Sequence, residues 1–156
     1  MENVQVFIRI RPPFQSEIDD YIFNPGSEDD QQWKCTFYDG QSPQLIELSI
    51  PKEVPKEFTF DRVFNEGSGQ SQVFEQTCKP LVLDVLNGYN GTYFVYGQTG
   101  TGKTYTMGVL GNIDVDSQGI IPQSVDFMLK YLHEQEDSGS LLQWRMHLSF
   151  YQIYQD

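Results

Sequence analysis

Gly97-Gln98-Thr99-Gly100-Thr101-Gly102-Lys103-Thr104 has the residue types and spacing to hold a polyphosphate. The run fits G-x-x-x-x-G-K-[ST]. Phosphate oxygens crowd several negative charges together. Backbone N–H groups can surround them only where no Cβ blocks the approach, and glycines at Gly97, Gly100 and Gly102 meet that need. A helix opening at Lys103 would turn its free N–H groups and the positive end of its dipole toward the same anion. The Lys103 ammonium would reach the β- and γ-phosphates. The Thr104 hydroxyl would ligate Mg²⁺, a hard cation that shares oxygen ligands with the phosphates. A dinucleotide-binding reading of these glycines is weak, because Lys-Thr follows them. An incidental glycine-rich turn is the bland alternative.

Such a loop is half of a hydrolytic site, which also needs a carboxylate near Mg²⁺ and a group that positions water. Asp116-Ser117-Gln118-Gly119 matches Asp-x-x-Gly by letters, but it has no apolar strand before it and reads as an acidic surface turn. Cys35 and Cys78 form no C-x-x-C pair, so a zinc site is not expected and both read as buried thiols. His133 and His147 have no partner pattern and read as ordinary helix and strand residues.

The elements around the loop favour the phosphate reading. Thr92-Tyr93-Phe94-Val95-Tyr96 is a β-branched and aromatic strand running straight into it, and a helical segment follows. That segment is broken by a polar loop from Gly108 to Gly119 and resumes through Val125, Met128, Leu129 and Leu132. Upstream, Val73, Phe74, Cys78, Leu81, Val82, Val85 and Leu86 lie on one helical stripe, with Ser68 or Ser71 as candidate caps and Pro80 expected to kink it or shift its start. Asn87-Gly88 ends it, and the sequon Asn90-Gly91-Thr92 reads as turn chemistry. At the N-terminus, Val4, Val6, Ile8 and Ile10 alternate with Gln5, Phe7, Arg9 and Arg11, a strand stopped by Pro12-Pro13. Residues 14–32 are polar and acidic and read as a surface loop. Trp33 to Tyr38 and Leu45 to Ile50 read as small antiparallel strands, and Phe58-Thr59-Phe60 leads into Val63-Phe64. Trp144 to Phe150 alternates again.

The 156 residues are enough for one modest domain with its own core. A net charge of −12 argues against general nucleic-acid binding, which needs Lys and Arg on phosphates. Beyond Thr104 only Lys130 and Arg145 are basic, so a docking surface for an acidic polymer is not expected there. No apolar stretch approaches membrane-spanning length, and the alternating N-terminus is unlike a signal peptide.

Read together, the motifs resemble the kinesin motor domain. Ile8-Arg9-Ile10-Arg11-Pro12 is similar to that family's Arg-x-Arg-Pro strand. Phe58-Thr59-Phe60-Asp61-Arg62-Val63-Phe64 resembles its Phe-x-Phe-Asp-x-Val-Phe strand. Gly88-Tyr89-Asn90-Gly91-Thr92 and Tyr96 to Met107 resemble its phosphate-loop strand and helix. Gly119-Ile120-Ile121-Pro122 and Ser149-Phe150-Tyr151-Gln152-Ile153-Tyr154 follow in family order, with Gln152 where the family usually has Glu. The resemblance implies an α/β, P-loop NTPase fold: a central mixed sheet flanked by helices on both faces, with a small antiparallel lobe near the N-terminus. It implies ATP or ADP with Mg²⁺ as ligands, and adenine flanked by Arg9 and Pro12 on one side and Tyr105 on the other. It also implies a microtubule partner and a cytoplasmic, cytoskeletal setting.

The same resemblance implies that residues 1–156 are a truncated, N-terminal portion of a motor domain about twice this length. Neither the Asn-x-x-Ser-Ser-Arg-Ser-His switch nor the Asp-Leu-Ala-Gly switch is in the sequence. No complete catalytic set is therefore assigned, and the main microtubule-binding elements are not expected here. Family sheet order puts the phosphate-loop strand between two strands from the remainder of the domain, so the chain is expected to fold poorly alone. A second reading, a non-catalytic nucleotide-binding or interaction module, stays open. An unrelated P-loop ATPase or GTPase is disfavoured by the flanking motifs and by the lack of Asn-Lys-x-Asp.

Overall fold

The first strand is where sequence pattern and packing diverge most instructively. In the computed structural model, which describes residues 4–23, 34–38, 44–49, 54–108, 117–140 and 143–154, β1 is Phe7–Arg9. It is shorter than the alternating run, because only these three residues stand in ladder register with a partner strand. That partner is β5 (Arg62–Phe64), parallel, with Phe7 opposite Arg62, Ile8 opposite Val63 and Arg9 opposite Phe64. The pairing continues at both ends. Ile10 donates its N–H to the Phe64 carbonyl at 2.8 Å, and Asp61 donates to the Val6 carbonyl at 3.1 Å. Val4 and Val6 are exposed, whereas Phe7 packs on the main core. Phe7, Ile8, Arg9 and Ile10 are all half-buried, so both faces of the strand are partly covered, Arg9 included.

Between these strands the chain makes a helix and the small antiparallel lobe. Helix α1 (Gln15–Phe23) occupies part of the stretch expected to be a surface loop. Polar composition hid a local device. Glu17 accepts from the Phe14 N–H at 2.7 Å and forms a two-pronged pair with Arg11, at 2.8 and 2.6 Å. This is the carboxylate half of a capping box, and it satisfies a helix-end donor that would otherwise have no partner. The lobe is β2 (Lys34–Tyr38), β3 (Gln44–Ser49) and β4 (Lys56–Phe60), antiparallel in that order. The strands fall where β-prone runs were read. Residues 24–33, 39–43 and 50 lie outside the described residues, and with them the breaks read between the strands.

A long helical stretch follows: α2 (Gln70–Val73), a π-helical turn (Phe74–Cys78) and α3 (Lys79–Leu86). Neither candidate serine caps it. Gly69 is the N-cap, Ser71 lies inside the helix, and the Ser68 hydroxyl bonds Asn65 Oδ1 at 3.2 Å. Pro80 does not break the helix. Its ring would clash with the carbonyl four residues back in an α-helix, and it lacks an N–H. The wider turn just before it, with Lys79 N–H on the Phe74 carbonyl, accommodates both defects. The C-terminus closes as expected at Asn87-Gly88. Gly88 has φ 95°, and Tyr89 donates back to the Asp84 carbonyl at 3.0 Å.

Phe64, Val73, Phe74, Cys78, Val82 and Ile120 form the core. Helix α5 (Ile120–Asp137) joins it through Ile120, Ser124, Phe127 and Met128, one stripe at helical spacing. Phe127 meets Phe74 edge-on at 6.2 Å, and Ser124 Oγ lies 3.4 Å from Cys78 Sγ. Burial pushes the Cys78 thiol above its ordinary value, in keeping with an inert core residue.

Two expected strands have no ladder among the described residues. Along Thr92–Tyr96 the side chains alternate as in a strand: Tyr93 and Val95 are half-buried, while Thr92, Phe94 and Tyr96 are exposed. The Tyr93 hydroxyl lies 2.9 Å from Thr77 Oγ1, which fixes the inner face on the helix. Residues 143–154 are likewise unpaired and carry exposed Leu148, Phe150, Tyr151 and Ile153. The helices cover the inner face of Thr92–Tyr96, residues 143–154 are largely exposed, and no strand edge among the described residues pairs with either segment.

Candidate phosphate-binding site

The unpaired Thr92–Tyr96 segment delivers the chain into the glycine loop, and helix α4 (Lys103–Met107) leaves it. Gly100 and Gly102 have φ 86° and 90°, a region that costs other residues about 1–2 kcal/mol each. A Cβ at either would meet nothing within 4 Å, so the loop's surface at these two positions is open. Gly97 is constrained differently: a Cβ there would lie 2.6 Å from Thr101 Oγ1.

The Gln98 carbonyl organises the turn. It accepts from Thr101 Oγ1 at 2.8 Å and from the Lys103 ammonium at 2.7 Å. The same ammonium donates to the Gly97 carbonyl at 2.9 Å. Lys103 thus lies folded over its own loop, a cation held by two neutral carbonyls. Neither partner carries charge, so an anion entering the loop would compete well for the ammonium. Thr104 is exposed beside it. Among the described residues no group of His, Cys, Asp or Glu is arranged to hold a metal on its own. A divalent cation at this site would therefore need oxygens from a bound phosphate as well as Thr104, which fits Mg²⁺ arriving with a nucleotide.

Of the three residues assigned to the adenine, the structure brings two together. The Arg9 guanidinium lies over the Tyr105 ring, 5.2 Å from its centroid. Pro12 is exposed just beyond β1, where its carbonyl accepts from Arg11 Nη1 at 3.0 Å. Arg9 is also held by three hydrogen bonds: Nη1 donates to Gln70 Oε1 at 2.7 Å and Thr106 Oγ1 at 3.0 Å, and Nη2 donates to the Ser68 carbonyl at 3.2 Å. Its burial lowers its pKa, opposed by the neighbouring Tyr105. Sequence reasoning missed Gln70 and Thr106 and read Ser68 only as a candidate helix cap. A glutamine in a Gly-Ser-rich stretch carries no periodic signal, and its role depends on contacts with residues far along the chain.

The kinesin motor domain family model matches residues 9–156. The chain is 36% identical over 161 aligned positions to kinesin-like protein KIF15-B of Xenopus laevis, covering 99% of this chain and 11% of that one. It is equally 36% identical to the kinesin heavy chain of Neurospora crassa, over 154 positions, 99% of this chain and 15% of the relative. Among solved structures, a fast kinesin described for its ATPase mechanism and microtubule interactions superposes with a TM-score of 0.64 at 38% identity. That match covers 81% of this chain and 32% of the other. The chain thus spans a small part of the curated relatives it matches, and about a third of that solved chain.

Proposed function

The chain belongs to the kinesin motor-domain family, and from that premise we propose that it is the ATP-binding part of a microtubule motor, with residues 97–104 holding the nucleotide's phosphates. One observation carries the proposal. Lys103 is poised on the Gly97 and Gln98 carbonyls of a loop whose glycines leave its surface open. That arrangement puts a cation held only by neutral carbonyls beside an open, glycine-formed surface, which suits a triphosphate. Gly97, Gln98, Thr99, Gly100, Thr101 and Gly102 shape the cradle, Lys103 reaches the β- and γ-phosphates, and Thr104 offers its hydroxyl to Mg²⁺. Bound Mg²⁺ supplies charge neutralisation between phosphate oxygens.

Arg9, Pro12 and Tyr105 form the adenine side, with Tyr105 offering an aromatic face to the purine. ATP hydrolysis and movement along microtubules, in a cytoskeletal setting, are proposed for the complete motor domain. The similarity to relatives carrying the kinesin name supports this. For these 156 residues binding alone is proposed, because the sequence holds neither switch motif that would complete the hydrolytic site.

The test is Mg²⁺ dependence. A fluorescent ATP analogue is expected to bind the wild type tightly with Mg²⁺ and about tenfold more weakly with a chelator, whereas Thr104→Ala shows no difference between the two. Equal Mg²⁺ dependence in the variant would remove Thr104 from the cation's shell.

A further inference from the structure

Gln70 has a position that neither the phosphate loop nor the core explains. It is a neutral polar residue only 3% exposed, at the first position of α2. Both ends of its amide are used. Oε1 accepts from Arg9 Nη1 at 2.7 Å, while Nε2 donates to the Tyr105 carbonyl at 2.6 Å and more loosely to the Ser117 carbonyl at 3.4 Å. Chemistry fixes the amide's orientation: a guanidinium only donates and a carbonyl only accepts, so reversing the amide would break both contacts. One side chain thereby ties the end of β1, the start of α2, the helix leaving the phosphate loop and the approach to α5.

The Arg9–Tyr105 pair is held at both partners by this one amide. The Tyr105 ring is half exposed at 52%, so no close-packed shell fixes it in place. Its backbone is anchored through Gln70, and one ring face is covered by Arg9, itself anchored through Gln70 and Thr106. Leucine would fill similar space but leave an Arg9 donor and the Tyr105 carbonyl without this partner. Glutamate would keep the acceptor for Arg9 but lose the donor and face the Tyr105 carbonyl with a negative charge. Glutamine is the side chain that meets both demands.

We propose that Gln70 is a positioning residue for the nucleotide base, holding Arg9 and Tyr105 as one rigid wall of the site while leaving the phosphate loop independent of it. The proposal rests on the nucleotide reading above. It requires that damage at Gln70 weaken recognition of the base and leave recognition of the phosphates intact. General structural damage would weaken both.

The experiment is calorimetric titration of the full 156-residue chain with Mg·ATP and, separately, with Mg·tripolyphosphate, which lacks base and ribose. Gln70→Leu is expected to weaken ATP binding about tenfold, the effect of losing a buried hydrogen-bond partner, with tripolyphosphate affinity unchanged. Tyr105→Ala should lose a similar factor, and the double variant should lose less than the product of the two single losses, because Gln70 acts in part through that ring. Gln70→Glu is the milder substitution. It should show the same selective loss at about fivefold, and it serves where the leucine variant does not fold. Equal weakening of both ligands, no weakening of ATP, or additive losses in the double variant would overturn the positioning role. A wild type that binds tripolyphosphate as well as ATP would also overturn it while leaving the phosphate loop standing. A wild type that binds neither would remove the nucleotide reading itself.

Discussion

At the scale of single residues, charge is spent locally. Arg11 and Glu17 pair at the entrance to α1, and the hydrogen bonds from Arg11 and from the Phe14 N–H lower the Glu17 pKa from 4.5 to about 2. A carboxylate with a depressed folded pKa contributes stability that is fully present above its unfolded value. The contribution should therefore hold above pH 4.5 and fade as pH falls toward 2. Glu17→Gln is expected to lose that contribution at neutral pH, as a less stable α1, and to flatten the acid part of a titration followed by far-UV circular dichroism. The glycine loop of residues 97–104 was legible as a motif at this scale, because residue type and spacing are set within one contiguous stretch. The residues behind Tyr105 were not. Gln70 and Thr106 gain their meaning only when Arg9, more than sixty positions away from the first, is folded onto them.

At the scale of elements, two glycines decide how the helices on either side of the 109–116 stretch meet. Gly108 ends α4 with φ 79°, and a Cβ there would lie 2.5 Å from the Gly119 backbone nitrogen, at the N-cap of α5. The sequence marked both as the ends of a loop, but it could not show that they touch, since contact between distant backbones leaves no periodic trace. Gly108→Ala would suffer both a left-handed backbone penalty and a clash with a neighbour that cannot swing away. A loss of more than about 2 kcal/mol in chemical denaturation is expected, against well under 1 for alanine at an exposed, helical surface position. The helical stretch through Pro80 teaches a related point. Proline predicted a kink or a shifted start, and the chain widens the turn just before it into a π-helix, keeping the apolar stripe from Val73 to Val82 on the core.

At the scale of the whole molecule, the antiparallel lobe, the helices on the core and the loop between them follow the α/β reading. The parts that depart from it are the strands without ladders. Phe94 is 81% and Tyr96 93% exposed on the outer face of the segment entering the phosphate loop, and residues 143–154 add a second bare, apolar run. Period-two alternation was readable there because it is written in neighbouring residues, whereas ladder partners are not. Exposed apolar strands with unpaired backbone groups invite association and lower cooperativity. The chain is expected to melt broadly, to bind the dye ANS in its native state, and to gain about 3 kcal/mol with Mg·ATP at a hundred times its dissociation constant, by linkage. A sharp, ligand-independent transition without dye binding would contradict that picture. The measurement that bears most directly on the central claim is equilibrium binding of a fluorescent ATP analogue with Mg²⁺, wild type against Lys103→Ala, with circular dichroism on both. The account predicts saturable binding in the wild type and a loss of about a hundredfold in the variant, with superimposable spectra. Equal affinity in two equally folded proteins would contradict it, because the cation poised on Gly97 and Gln98 would then have no part in holding the phosphates.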